Sequence, residues 1–262
     1  MTNLEELTLY LPIKGVSTFI SPTHLDREIL VQMPRLHTFT FYFATQHVVA
    51  RSTDIGKLNS YVQQSFNNVK YGWVTSMVSH VASDEVICHI FSLPFKFPFL
   101  QCVGKDITNS VFNSVTHLKL CEHNEYRYEF FFRLSDAFPF LQKLSLRNKK
   151  PPFWKLEDVH LRHKDWCSHV EYPHLISLDI KHVFPDYAEY FLNDTKIRLP
   201  RLKELEIADD NLKDVTQNFT RDGTRWNCSK VNRLIVLGEL IPSKDVYNYF
   251  PSLSHLCSAD LF

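Results

Sequence analysis

Hydrophobic positions recur along this chain in one short phrase: an apolar residue, a proline, any residue, then an aliphatic residue followed by two more, three and five positions on. It occurs as Met33-Pro34-Arg35-Leu36, Phe138-Pro139-Phe140-Leu141, Tyr172-Pro173-His174-Leu175, Leu199-Pro200-Arg201-Leu202 and Phe250-Pro251-Ser252-Leu253. Aligned on the first aliphatic position, eight copies begin at Leu4, Leu36, Val115, Leu141, Leu175, Leu202, Val231 and Leu253. Seven of them fill all three positions with apolar residues, the Leu36 copy with Phe39 and Phe41, and the last fails at Ser258. With apolar residues at 44%, a random triple passes roughly one time in twelve, so the pattern is a signal.

Each copy predicts a short strand. Side chains at i and i+2 share a face, so Leu144 and Leu146 point to the core while Lys143, Ser145 and Arg147 point away. The proline precedes the strand, where its missing N–H removes no ladder bond. Between strands the period becomes helical. Ile55, Leu58, Val62 and Phe66 predict a helix over about 52 to 66 with a cap at Ser52 or Thr53, Leu25 and Ile29 a second after Ser21-Pro22-Thr23, Ala188, Phe191 and Leu192 a third after Pro185, and Val246, Tyr249 and Phe250 a fourth after Ser243. Strand, turn, helix and return is the unit of a leucine-rich repeat. The expectation is therefore an α/β leucine-rich-repeat solenoid over residues 1–262, with a curved parallel β-sheet on the concave side and helices on the convex side.

The 79 residues between Leu36 and Val115 form an irregular section, about 67 to 110. Trp73 to Val81 and Val86 to Leu93 are β-rich runs flanking Ala82-Ser83-Asp84-Glu85, and they read either as degenerate repeat strands or as a local hairpin. Phe97-Pro98-Phe99-Leu100 mimics the phrase but reaches Lys105 at the third aliphatic position and reads as a decoy. The first copy begins at Leu4 and the chain stops at Phe262 just after the last. With no room for the caps that repeat arrays need, both ends read as cut from a longer protein.

Lys plus Arg and Asp plus Glu both total 29, so no global field draws nucleic acid or an acidic membrane, and electrostatic specificity has to be local. Six cysteines lie singly, without a C-x-x-C pair, as suits reduced thiols in a cytoplasmic or nuclear protein. The N-terminus carries no signal peptide, and Phe91 to Val103, the most apolar stretch, is broken by Pro94, Lys96 and Pro98, so no membrane span is expected. Sequons at Asn193, Asn218 and Asn227 would matter only in the secretory pathway.

Several segments carry a family resemblance: Leu4-Glu5-Glu6-Leu7-Thr8-Leu9, Met33-Pro34-Arg35-Leu36-His37-Thr38-Phe39, Cys88-His89-Ile90-Phe91-Ser92-Leu93-Pro94, Phe138-Pro139-Phe140-Leu141 and Leu199-Pro200-Arg201-Leu202. Through them most of the chain resembles the repeat region of F-box/leucine-rich-repeat proteins, in particular a large expanded invertebrate family. The resemblance implies the substrate-recognition part of a ubiquitin ligase receptor that holds a protein on its repeats. A Skp-type adaptor would be a partner only with an F-box upstream of Met1, since nothing before Leu4 holds one. The asparagine ladder of short repeats is missing: His123, Lys149, Val183, Asp210 and Glu239 stand at its usual place. A general leucine-rich-repeat scaffold outside ubiquitin pathways is the alternative.

The candidate partner-binding surface is the concave face, where outward strand positions converge. Its polar members are His117 and Lys119, then Lys143, Ser145 and Arg147, then Ser177, Asp179 and Lys181, then Glu204 and Glu206, and Arg233. Basic character gives way to acidic and then, at Ile235 and Leu237, to apolar. The plain alternative is a solvated sheet with cross-strand charge pairs. His160, His163, Cys167 and His169 are the densest group of metal-ligand types, and a metal-dependent enzyme using this 160–169 loop is the remote alternative. They lack the paired knuckles of structural zinc sites and read as a polar surface loop. No nucleophile elbow, P-loop, dinucleotide fingerprint or H-E-x-x-H occurs, and Glu122-His123 is the sole acid/base neighbour pair noted. The expectation is a binding module that is not an enzyme, with no cofactor, no metal, no nucleic acid and no membrane partner.

Overall fold

The structure, a computed structural model, describes residues 3–13, 21–49, 54–65, 72–107, 110–152 and 170–259. The chain divides into two compact units, one of Met1–Ser114 with Cys121–His123, the other of Val115–Leu120 with Asn124–Phe262.

In the first unit, β1 (Glu6–Ile13), α1 (Pro22–Leu25), a wider helical turn (Asp26–Leu30), β2 (Thr38–Val48), α2 (Ile55–Ser65), β3 (Val74–His80), β4 (Glu85–Ser92) and β5 (Phe99–Val103) follow one another. Four strands make a mixed sheet in the order β1-β2-β4-β3. The first two phrase copies pair as their alternation requires: β1 and β2 run parallel with Glu6 opposite Thr38, and the amides of His37 and Thr38 both donate to the Glu5 carbonyl at 3.0 and 3.2 Å. Phe39, Phe41 and Phe43 share a face, stack along the strand at 4.8 and 5.1 Å, and join Val62 of α2 with Val78, Val86, Cys88 and Ile90 in one core. At about 2 kcal/mol or more per fully buried aromatic or aliphatic side chain, this cluster holds the unit together.

The sheet overturns the solenoid expectation. β2 runs on past the phrase to Val48 and pairs antiparallel with β4, which pairs antiparallel with β3. The runs around 74–92 are therefore the local hairpin, and an antiparallel hairpin cannot propagate a stack of parallel repeat units. The architecture is mixed α/β, with a seven-stranded all-parallel sheet, a separate mixed sheet and seven α-helices among the described residues, two of them of only four residues. The segment read as a decoy also forms a strand, β5. Its Leu100 and Val103 are buried because Cys102 takes a positive φ of 54°, which resets the alternation.

The second unit contains β6 (His117–Cys121, its last residue counted with the first unit), α3 (Tyr128–Ala137), β7 (Lys143–Asn148), β8 (Val170–Glu171), β9 (Ser177–Val183), α4 (Pro185–Leu192), β10 (Ile197–Arg198), β11 (Glu204–Ala208), α5 (Asp209–Thr216), α6 (Arg225–Cys228), β12 (Arg233–Leu237), α7 (Lys244–Tyr249) and β13 (His255–Ala259). It supplies six strands of the seven-stranded sheet, in the order β13-β12-β11-β9-β7-β6, and β8 and β10 form a separate parallel pair. One backbone device repeats at each phrase: two successive amides donate to a single carbonyl of the preceding copy. Gln142 and Lys143 bond Thr116, Ile176 and Ser177 bond Gln142, Lys203 and Glu204 bond Ile176, Asn232 and Arg233 bond Lys203, and Ser254 and His255 bond Asn232, all within 2.8–3.0 Å. This keeps the copies in register, so Leu144, Leu178, Leu205, Leu234 and Leu256 align across the sheet.

Buried asparagines close the connections. Asn227, fully buried, donates to the carbonyls of Leu192 and Ile197 at 3.0 and 2.9 Å and accepts the Leu199 amide at 3.0 Å. Asn148 bonds the Asn124 carbonyl and Asn211 the Val183 carbonyl. The ladder-like asparagines thus stand one residue from Lys149 and Asp210, the positions the phrase spacing assigned. Sequons Asn193 and Asn227 are buried in the fold, so neither side chain is presented for glycosylation.

Candidate protein-binding face

Strand alternation builds one polar face on the second unit's sheet. Leu118, Leu120, Leu144, Leu146, Leu178, Ile180, Leu205 and Ile207 are at most 2% exposed, so the residues between them face the other way. Register then sets rows across the strands. Lys143 stands opposite Ser177 and Ser177 opposite Glu204, which faces Arg233; Ser145 stands opposite Asp179, and Asp179 opposite Glu206, which faces Ile235. His117 lies near Lys143, whose charge adds to the desolvation that lowers the His117 pKa.

Of the sequence-assigned residues, the sheet brings together the intended set on adjacent strands, with one change. The pairing of β7 and β9 shifts between Ser145 and Arg147, so Arg147 stands opposite His182 rather than Lys181. This bulge turns both Lys181 and His182 towards the accessible side. His182, absent from the sequence-based set, therefore belongs to the face. Its pKa is lowered by desolvation first, then by Arg147, with Asp179 opposing and Lys149 and Lys181 adding to the fall.

The acids of this face are already engaged. Asp179 accepts from the Ser145 hydroxyl at 3.0 Å and from the Lys181 amide at 3.3 Å. Lys181 pairs with Glu206, and Arg233 reaches Glu204 at 3.4 Å. Ser177 is largely buried and adds little accessible polarity. Lys119, Lys143 and Arg147 have no carboxylate within ion-pair distance among the described residues. A neutralised strip on β9, β11 and β12 thus lies beside an uncompensated basic strip on β6 and β7, and Ile235 and Leu237 are half-buried at the far side. The grading from basic to acidic to apolar holds, with the acidic strip internally paired.

The chemical alternatives are elsewhere. The His160–His169 run lies outside the described residues, and among those described no group of three His, Cys, Asp or Glu is arranged to hold a metal. Glu122 is buried and its Oε2 accepts the Lys105 amide at 2.9 Å. A cavity of about 600 Å³ in the first unit is lined by Leu30, Met33, Leu36, Phe39, Pro94 and Lys96 among others, and the hydroxyl of Ser92 in its wall accepts the Phe41 amide at 3.0 Å.

The first unit also holds a serine, a histidine and a tyrosine in contact. Tyr42 Oη lies 2.9 Å from His89 Nδ1, and His89 Nε2 lies 3.1 Å from both Ser79 Oγ and the Cys102 carbonyl. Desolvation pushes the His89 pKa down to about 4, partly opposed by that carbonyl, so the ring is neutral at pH 7. A carbonyl only accepts, so Nε2 carries the proton and Nδ1 accepts from Tyr42. Ser79 also accepts the Gly104 amide at 2.8 Å. The nitrogen facing the serine is therefore a donor, opposite to what base activation of a nucleophile needs, and all three side chains are at most 1% exposed. This is an internal brace.

The chain matches no protein-family model, no curated protein and no solved structure. Among the described residues no helix is long and apolar enough to cross a membrane.

Proposed function

We propose that this chain is a protein-binding domain of the cytoplasm or nucleus, with its docking surface on the polar face of the second unit's parallel sheet. One observation carries the reading: among the described residues Lys119, Lys143 and Arg147 stand together without carboxylate partners, while the neighbouring acids are paired within the sheet. Such a strip attracts an acidic segment of a partner and steers its approach. Lys143 and Arg147 are four residues apart on one strand, about 13 Å, which an extended peptide of four or five residues spans. Binding a protein here is the role implied by the resemblance to substrate-receiving regions of F-box-type receptors. A continuous nucleic-acid backbone suits the face less well, because Asp179, Glu204 and Glu206 occupy the next strands and no Phe, Tyr or Trp stands among Lys119, Lys143 and Arg147 for base stacking.

The test uses a fluorescent glutamate-rich peptide of about twelve residues, titrated with the purified chain and followed by anisotropy. The expected result is saturable binding that weakens as salt rises from about 50 to 300 mM, as screening shortens the Debye length. Absence of binding at low salt, or tighter binding of a single-stranded oligonucleotide, overturns the reading.

A further inference from the structure

We infer that Cys102 and Cys121 form a built dithiol, a site of reversible oxidation to an intramolecular disulfide by small-molecule disulfides. The Cys121 thiol lies 3.5 Å from Cys102 Sγ, and both residues are part-exposed members of the first unit. Their backbones are held on either side of the pair. The Cys102 carbonyl accepts from His89, the Gly104 amide donates to Ser79 at 2.8 Å, and the Lys105 amide donates to Glu122, the neighbour of Cys121, at 2.9 Å. His123, two residues beyond Cys121, donates its amide to the His80 carbonyl at 2.7 Å. Gly104 permits this closeness: a Cβ there would lie 2.6 Å from Glu122 Oε2 and 3.2 Å from Ser79 Cα. The two thiols thus meet at the effective concentration of a fixed pair.

The chemistry balances as two exchange steps. A thiolate of one cysteine attacks a sulfur of an oxidised small disulfide such as glutathione disulfide, forming a mixed disulfide and releasing one small thiol. The second cysteine, as thiolate, attacks the protein sulfur of that mixed disulfide and expels the second small thiol. The protein loses two protons and two electrons, and the small disulfide gains both to become two thiols. From 3.5 Å the sulfurs have to close by about 1.5 Å to bonding distance, within reach of side-chain rotation.

The remaining described cysteines provide internal comparison. Cys88 and Cys228 are fully buried, and desolvation pushes each thiol up to about 12, so neither is available. Cys257 is exposed and has no other described cysteine beside it, so it stops at the mixed disulfide. The experiment incubates the native full chain with glutathione disulfide, quenches with acid, alkylates free thiols and maps peptides by mass spectrometry without reduction. The expected result is a Cys102–Cys121 linked peptide that dithiothreitol removes, with glutathione retained on Cys257. In Cys121→Ser, Cys102 should instead keep glutathione at least tenfold more than in the parent chain. If Cys102 and Cys121 in the parent chain each carry glutathione without a linked peptide, or both stay reduced while Cys257 reacts, the inference is wrong.

Discussion

Lowering the pH from 7.5 to 4.5 is expected to cost the first unit on the order of 2 to 3 kcal/mol through His89 alone. His89 is fully buried, bonded to Tyr42 and to the Cys102 carbonyl, and its pKa falls to about 4 from the ordinary 6.5. Between those values the unfolded chain binds a proton that the folded chain does not. The stability is therefore complete above about pH 6.5 and is lost as the pH falls through the window down to about 4. His47, His117 and His182 are also lowered, each with desolvation as its first cause, and act in the same direction. Comparison with His89→Gln isolates the one site. The variant starts less stable at pH 7.5, because Gln reproduces only part of the hydrogen bonding, but its urea midpoint should fall less on acidification. Parallel pH profiles for the two chains would contradict the buried neutral imidazole.

Reversing the three cations of the basic strip together, Lys119→Glu, Lys143→Glu and Arg147→Glu, is expected to weaken acidic-peptide binding on the order of 100-fold at low salt. Each exposed pair contributes up to about 1 kcal/mol, and reversal replaces attraction with repulsion. The fold should survive, since the side chains lie on the accessible face and their strand neighbours Leu118, Leu144 and Leu146 keep the core contacts. A control with the same change of net charge reverses Lys96, Arg198 and Lys244, all exposed and none on the polar face. The control should retain affinity within about threefold, because none of its three residues lies on the strands that build the face. Equal losses in both variants would mean that net charge, not the face, governs binding.

The strands were legible because the phrase carries a period-two signal whose faces differ. Leu205 and Ile207 against Glu204 and Glu206 leave one choice of face, and β11 takes it. The same logic identified the polar strip on β6 and β7. The hairpin stayed open to two readings because Ser76, Met77, Val78 and Ser79 are all buried despite mixed polarity, so neither face of β3 announces itself. A solenoid followed from counting parallel phrases, but direction of pairing depends on partners such as Tyr42 and Phe91, 49 residues apart, which no local period encodes. His182 escaped the reading because the β9 bulge adds a residue to the count. The thiol pair and the His89 brace escaped it for a related reason: their members meet across strands, and spacing along the chain carries no trace of that.

The most direct measurement of the binding face is zero-length carbodiimide crosslinking of the glutamate-rich peptide to the native chain, with lysine attachment sites mapped by mass spectrometry. The chemistry joins a carboxylate to an amine already in contact with it, so attachment reports position without altering the protein beforehand. Lys119 and Lys143 should carry most of the peptide, and the attachment should fade as salt rises. Peptide attached chiefly to Lys96 or Lys244, with Lys119 and Lys143 unmodified, would contradict the assignment of the binding surface to this face.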